Sequence, residues 1–212
     1  TINEAKRPVS GGAKVEPVIP GLEGGTNWFP IAANPEKGIV YLNTNDWAMS
    51  LKAWKPEDVV YNAGQVYMGV DYQMYRHKEH TGFLKAFDVA NKKWLWELPS
   101  ALPMFAGVLA TKSGLLFTGD QLGFFQAVDA QTGKPLWRFQ TGSGINASPI
   151  TYELDGVQYL AILSGLGGDP GFYFSGPKGG MLWVFAVDGK VADTTSFNPT
   201  IIETALPIYG KQ

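Results

Sequence analysis

The amide of Asn45 is the first side chain in this sequence that could take part in binding chemistry. The stretch 39–45 predicts a strand, and Asn45 ends it. An amide at that place can donate a hydrogen bond to a ligand oxygen without adding charge. The alternative interpretation is structural, with Asn45 capping the strand at a turn.

Two histidines, His77 and His80, have a spacing that can bind a metal on a helix. They lie in the charged stretch 76–82, which predicts a loop, and no carboxylate cluster of clear geometry accompanies them. We therefore favour a solvated loop and predict no metal site in this chain. No Ser-His-Asp arrangement is visible, and the absence of cysteine excludes disulfides, thiolate metal ligands and a Cys nucleophile.

The composition favours a packed protein of short strands. The chain has 212 residues, of which 45% are hydrophobic and 13% aromatic, with 26 Gly and 14 Pro to supply turns. The net charge is −2 and charges of both signs are scattered, so neither nucleic acid nor an anionic membrane surface is indicated as a partner. No apolar run approaches the roughly 18 residues that a membrane span needs.

A repeated stretch organises the chain. Residues 126–137 predict a strand, a tight turn and a second strand, with Gly133 at a turn position that tolerates positive φ. Residues 85–96 lie 41 positions earlier and repeat its Ala, Asp, Lys and Trp, but carry Lys92 in place of the glycine. A decayed third copy occupies 185–190. A period near forty residues built from short strands is typical of β-propeller blades.

This repeat divides the chain into three regions. Residues 1–26 predict an extended N-terminal arm that does not pack, and residues 191–212 a C-terminal tail. Residues 27–190 predict about three to four blades, with an irregular excursion from Asp46 to Gly64. A propeller ring usually needs four to eight blades. We therefore predict an all-β fold of propeller blades, forming a partial ring that another chain or missing sequence completes.

The repeat and several other segments resemble the eight-bladed quinoprotein alcohol and methanol dehydrogenases, which use pyrroloquinoline quinone (PQQ). In that family the repeat is the tryptophan-docking motif, whose Trp stacks against the next blade. Order and spacing agree from about Pro8 to Lys190, and the chain resembles only the C-terminal part of a family member. The matching segments are Gly24 to Pro30, Leu42 to Trp47, Ala106 to Thr111, Phe139 to Ile145, Gly156 to Ala161 and Gly165 to Gly168.

The resemblance implies part of a periplasmic PQQ-dependent alcohol dehydrogenase that oxidises an alcohol to an aldehyde. It implies PQQ with Ca²⁺ or a lanthanide ion as cofactors, and a cytochrome c as electron acceptor. The family's catalytic Asp and most of its metal ligands lie before the region that this chain resembles. We therefore expect no catalytic residue here, and a second polypeptide that carries the N-terminal blades and those groups.

The resemblance assigns four residues to the cofactor. Asn45 matches the Asn that the family brings to the quinone. Phe105 matches a position that is often Trp beside the quinone, so the apolar wall is kept while the indole N–H donor is lost; plain core packing is the alternative. Gly167 and Gly168 match a loop that approaches the cofactor with its backbone.

Two further residues are candidates for the substrate pocket. Trp47 would line the substrate funnel, and the alternative is an aromatic packed on its own surface excursion. Asp169 stands where relatives usually have Trp, so its carboxylate would alter substrate preference; a solvated loop Asp is the alternative.

A second hypothesis is a non-catalytic propeller scaffold that kept the docking motifs and lost the cofactor. Phe105 and Asp169 favour it, whereas Asn45 and the loop at Gly167 favour the enzyme. Under either hypothesis the motif tryptophans are structural. We expect Trp137→Ala, as the deletion of a buried aromatic ring, to cost about 3–5 kcal/mol of stability through lost contact between blades.

Overall fold

The computed structural model describes residues 7–166 and 178–190, and this part of the chain is almost entirely β-sheet. It contains fourteen strands and a single 3₁₀ turn, Pro56–Asp58. The strands are β1 (Val15–Val18), β2 (Ala32–Asn34), β3 (Ile39–Asn45), β4 (Ala48–Ala53), β5 (Val70–Tyr75), β6 (Gly82–Asp88), β7 (Lys93–Ser100), β8 (Leu109–Ala110), β9 (Leu115–Gly119), β10 (Phe124–Asp129), β11 (Pro135–Gln140), β12 (Ile150–Leu154), β13 (Val157–Ser164) and β14 (Met181–Ala186).

Three of the sheets follow one another along the chain as antiparallel meanders. The first sheet has the order β2-β3-β6-β7, the second β8-β9-β10-β11, and the third β12-β13-β14. A fourth, the excursion sheet, has the order β1-β4-β5; its strands β4 and β5 come between β3 and β6 along the chain, and β1 comes from the N-terminal segment. The predicted all-β class and its succession of blade-like sheets are confirmed.

The first two sheets are joined by the motif tryptophan of one and the motif glycine of the other. The indole N–H of Trp96 in β7 donates to the carbonyl oxygen of Ala130 at 3.2 Å. The ring covers Gly133 so closely that a Cβ added there would lie 2.6 Å from it. Glycine is required at this turn both by its φ of +74° and by the covering ring.

Two apolar layers hold the three sheets together. Tyr41, Leu84 and Leu116 belong to the buried layer between the first and second sheets. Phe125 and Ile162 belong to the layer between the second and third. These layers follow from the alternation of the strands, because every second side chain turns to the same face.

Trp137 is less buried than the sequence suggests. It contacts Phe125 and Phe185 edge to face, with ring centroids 6.0 and 5.4 Å away, but 40% of the residue stays exposed. The expected loss of about 3–5 kcal/mol applies to a fully buried aromatic. That magnitude is therefore too high for this position.

Part of the predicted N-terminal arm packs on the excursion sheet, contrary to expectation. Val15–Val18 forms β1 and pairs antiparallel with β4, with Val15 opposite Leu51. Farther along, the N–H of Gly21 donates to the carbonyl oxygen of Trp47 at 2.9 Å. The prediction of an unpacked arm is wrong here because the edge of β4 offers backbone groups that an extended segment satisfies.

The third sheet is apolar on both faces. One face packs on the second sheet, while Ile150, Leu154, Leu163, Leu182 and Val184 line the opposite face and are each 47–59% exposed. We call this set the open face. Sheets that are apolar on both sides normally lie between two other layers.

Candidate functional site

The side chain of Asn45 is fixed by the backbone of a residue far away in sequence. Asn45 ends β3 and is 4% exposed, and its Oδ1 accepts from the N–H of Met104 at 2.7 Å. Its Nδ2 donates to the carbonyl oxygen of the same residue at 3.2 Å. The amide therefore pairs with Met104 as a neighbouring strand would, and keeps one N–H and one lone pair for other partners.

Asn43 holds the same segment from the same face of β3. It is fully buried, and its Nδ2 donates to the carbonyl oxygen of Ala106 at 2.7 Å and to Oγ1 of Thr118 at 2.8 Å. Because residues two apart on a strand share a face, Asn43 and Asn45 together fix the path of 104–107. Asn43 was not among the predicted residues, since nothing in the sequence marks its distant partners.

Phe105 lies at the centre of an aromatic cluster formed by Trp28, Phe29, Trp47 and Phe105. Trp28 stacks on Phe105, with ring centroids 5.8 Å apart and planes within 10°. Trp47 meets Phe105 edge to face, also at 5.8 Å. Phe105 and Trp47 are both fully buried in this chain, whereas Trp28 is 49% exposed.

Trp28 is therefore the member of the cluster that offers a flat aromatic surface outward. The preceding loop is anchored beside the predicted site, because the N–H of Asn45 donates to the carbonyl oxygen of Gly25 at 2.6 Å. Trp28 was counted among the motif residues but not among the site residues. Its place two residues before Pro30, in the segment 24–30, was the available signal.

The two histidines stack on each other, and one of them, His80, also contacts an acidic side chain. Nε2 of His80 lies 3.2 Å from Oδ2 of Asp46, and the His80 ring stacks on His77 at 4.2 Å. The His80 side chain is 24% exposed. Within residues 7–166 and 178–190, no group of three His, Cys, Asp or Glu side chains is placed to hold a metal ion.

A buried carboxyl, Asp120, lies in the turn between β9 and β10 and lines a cavity together with Met104. It is 8% exposed, and its Oδ1 accepts from the N–H of Phe124 at 2.9 Å. Arg138 lies 3.4 Å from Oδ2. Burial nevertheless raises the pKa of Asp120 above its ordinary value, because the charged form loses its water, and the bonds from Phe124 and Arg138 oppose that rise only partly.

The other predicted site residues, Gly167, Gly168 and Asp169, lie outside the described residues, as does the tail 191–212. The described part brings together Asn45, Phe105 and Trp47, since Trp47 follows Asn45 by two residues and touches Phe105. Across residues 7–166 and 178–190, no helix has the length and apolar character needed to cross a lipid bilayer.

Successive antiparallel sheets joined by a tryptophan over a glycine define a class, the β-propeller proteins. Residues 74–160 match the family described as "Glucose/ethanol/alcohol dehydrogenase, beta-propeller domain". Among solved structures, a europium-containing methanol dehydrogenase superposes with a TM-score of 0.77 at 30% identity, covering 86% of this chain and 36% of that one.

Curated relatives agree with the structural match. The quinoprotein alcohol dehydrogenase PedE of Pseudomonas putida is 41% identical over 200 residues, which is 88% of this chain and 31% of that protein. The lanthanide-dependent methanol dehydrogenase of Methylacidiphilum fumariolicum is 35% identical over 162 residues, 74% of this chain and 26% of that protein. The chain belongs to the family of quinoprotein alcohol and methanol dehydrogenases, and spans about a third of the length of these relatives.

Proposed function

We propose that this chain supplies the C-terminal blades of a periplasmic PQQ-dependent dehydrogenase that oxidises an alcohol to an aldehyde and passes electrons to a cytochrome c. Family membership supports the reaction class. The observation that carries the proposal is one arrangement: the amide of Asn45 lies beside an aromatic cluster whose outer member, Trp28, presents a flat exposed ring.

These residues fit one wall of a flat, conjugated cofactor. An exposed indole backed by buried Phe105 offers a planar apolar surface, and Asn45 retains one N–H for a quinone oxygen. They do not fit its charged groups, because neither Asn45 nor the aromatic cluster has a cationic side chain. The groups that bind the charged part of the cofactor must therefore come from residues other than Asn45 and the aromatic cluster.

When bound, PQQ supplies the oxidising group and a Ca²⁺ or lanthanide ion supplies a Lewis acid. Within this chain, Asn45 orients the quinone and holds Met104 in place. Trp28 excludes water from one side of the cofactor, and the buried rings of Phe105 and Trp47 support Trp28 from behind, so that Trp47 acts on the substrate funnel only through this packing. From the family resemblance, Gly167 and Gly168 are further proposed as cofactor-binding residues and Asp169 as a residue that affects substrate preference.

The catalytic base and the metal ligands are proposed to lie in the rest of the ring, carried by a second polypeptide or by further sequence. The open face of the third sheet supports this division. Its five apolar side chains are placed as the inner surface of a blade-to-blade contact, and covering such a face is strongly favourable. A neighbouring blade is the occupant that the family's architecture supplies.

Titration with the cofactor tests this function. The complete protein, incubated with PQQ and either Ca²⁺ or La³⁺, should acquire a bound-quinone absorbance and then reduce cytochrome c when a short-chain alcohol is added. Primary alcohols of one to four carbons are suitable substrates for the comparison. A protein that shows neither bound quinone nor alcohol-dependent reduction with either ion would contradict the proposal.

The non-catalytic scaffold stays as a second candidate because two observations favour it. The Asn45 amide is tied to Met104, and Phe105 is fully buried, so each already has a structural role. A scaffold would keep both contacts without any cofactor. The same titration separates the two, since a scaffold binds no PQQ while its fold stays intact by circular dichroism.

A further inference from the structure

The excursion from the first sheet leaves and returns at the predicted site. Asn45, the last residue of β3, is the register partner of Gly82, the first residue of β6. Residues 46–81 therefore form one long detour whose two ends are neighbours. A contact that fixes these ends therefore also fixes the positions of Asn45 and of Trp47, since both lie within one residue of Asp46.

A side-chain contact joins the two ends. Oδ2 of Asp46 lies 3.2 Å from Nε2 of His80, although the two residues are 34 positions apart. Next to it, the N–H of Asp46 donates to the carbonyl oxygen of Thr81 at 2.9 Å. The His80 ring is held by Phe83, with centroids 4.4 Å apart, so the imidazole meets Asp46 in a fixed orientation.

The surroundings restrict the movement of the His80 ring. The His80 side chain is 24% exposed and the Asp46 side chain 43% exposed, so the contact lies at the edge of the protein surface. His80 is also packed between two rings, His77 and Phe83, which reduces the rotamer freedom lost on bonding.

We propose that Asp46 and His80 form a positioning pair that clamps the base of the excursion and thereby sets the places of Asn45 and Trp47. The effect on the quinone rests on the proposed function; the effect on the backbone does not. Asn45 transmits the clamp to Met104 through its two amide bonds, and Trp47 transmits it to Phe105 by ring contact. His80 is thus a positioning residue and touches no reacting atom.

The test compares two histidines of the same loop. His80→Phe keeps a ring against Phe83 but removes the nitrogen that meets Asp46. His77→Phe is the matched control, because it keeps a ring against His80 and loses only the bond that His77 accepts from the N–H of Glu79. Asp46→Asn replaces the carboxylate that meets His80 by an uncharged amide of similar shape. This variant serves if His80→Phe fails to fold.

The measurements on the complete protein are hydrogen–deuterium exchange of the Asn45 and Met104 amides and the dissociation constant for PQQ with Ca²⁺. We expect His80→Phe and Asp46→Asn each to speed exchange at both amides and weaken PQQ binding about three- to tenfold. His77→Phe should leave both unchanged, and the double variant should be no worse than either single variant.

Unchanged exchange in both His80→Phe and Asp46→Asn, or equal changes in His77→Phe, would overturn the positioning pair. If the wild-type protein binds no PQQ, the proposed function fails, and the exchange measurement still decides the clamp. If PQQ binds and only the exchange rates are unmoved, the proposed function stands and the clamp is wrong.

Discussion

At the scale of single residues, the side-chain amide of Asn45 makes the two hydrogen bonds to Met104 that a neighbouring strand would otherwise make. Its two bonds satisfy both backbone groups of Met104, a buried residue that is 1% exposed. The polar groups at Met104 would be left without these partners if the amide were removed. Buried groups that lose their partners cost more than the bond itself contributes.

We therefore expect Asn45→Ala to lower the free energy of unfolding by about 2–4 kcal/mol, from two lost bonds. Asn45→Asp keeps an acceptor for the N–H of Met104, but an ionised carboxylate cannot donate to the carbonyl oxygen of Met104. The loss of stability in this variant should therefore depend on pH, because only the protonated carboxyl can donate. Urea denaturation followed by circular dichroism gives both values. A loss below about 0.5 kcal/mol for Asn45→Ala would show that water replaces the amide.

Asp120 gives a pH prediction whose sign follows from its raised pKa. A carboxyl whose pKa is higher in the folded state than in the unfolded one favours folding when protonated. That stability is present below the ordinary Asp value near 4 and is lost as pH rises through the folded-state pKa. Asp120→Asn should remove this pH-dependent loss, as seen in melting temperatures across that range.

Asp129 is the matched control with the opposite sign. Bonds from the hydroxyl and the N–H of Thr132 lower the pKa of Asp129, so its contribution is present above the ordinary value and lost as pH falls through the folded-state pKa. Asp129→Asn should therefore flatten the acid limb of the stability curve. Identical pH profiles for the Asp120 and Asp129 variants would disprove both assignments.

At the scale of elements, the repeated turn of the first two sheets places different residues in the same left-handed conformation. Gly133 has φ +74° and Lys92, its counterpart in the earlier repeat, has φ +52°. A side chain in this region is strained by about 1–2 kcal/mol. Part of that strain is offset because lysine loses less backbone freedom on folding than glycine does.

Lys92→Gly should accordingly stabilise the protein by about 0.5–1 kcal/mol, the difference between the strain and the added chain entropy. Gly133→Ala should do the reverse and cost more than about 2 kcal/mol, because its Cβ would also collide with Trp96. Denaturation midpoints of the two variants test this. A destabilised Lys92→Gly protein would mean that the lysine side chain makes a contact worth more than the strain.

The two motif tryptophans should differ in the same experiment. Trp96→Ala loses the bond to Ala130 and uncovers Gly133, so we expect a loss of about 3 kcal/mol. Trp137→Ala removes a ring on a residue that is already 40% exposed, and about 1–2 kcal/mol is expected. Equal losses would contradict the ranking.

The sequence predicts local elements of this fold well and remote pairings poorly. The repeated turns were predicted because their signals lie within a few residues. The Asp155-Gly156 turn has a signal of the same local kind, and both of its residues have positive φ. The pairing of β1 with β4 was missed because its partners, such as Val15 and Leu51, are far apart and follow no short motif.

The same distinction holds for the candidate site. Asn45 and Phe105 could be named from the resemblance, and the structure brings them to adjacent places. Their mutual arrangement could not be predicted, because Met104 meets Asn45 across 59 positions of sequence. The bond between Asp46 and His80 likewise depends on how the excursion closes, which no periodicity encodes.

At the scale of the whole molecule, the open face is the dominant feature of the described chain. It presents apolar side chains on the three strands β12, β13 and β14, which a neighbouring blade would cover. Apolar surface of this kind drives association when nothing covers it. The chain expressed alone should therefore associate with itself, and analytical ultracentrifugation should show species larger than one chain.

A paired substitution tests this without unfolding the sheet. Leu163 and Leu182 are cross-strand partners and are 56% and 59% exposed. Changing them together to Lys and Glu keeps a favourable cross-strand pair while removing apolar surface. The variant should be monomeric, with circular dichroism unchanged. A wild-type chain that is already monomeric would show that this face needs no partner.

The hydrogen bond from Trp96 to a residue later in the sequence has a consequence for folding during synthesis. The indole lies in the first sheet, but its acceptor, Ala130, is 34 residues farther along and belongs to the second. A ribosome therefore releases the first sheet before the backbone that covers its tryptophan exists. Until the next hairpin emerges, the ring has Tyr41 on one side and no acceptor for its N–H, so each sheet completes its contacts only when the following sheet has been synthesised.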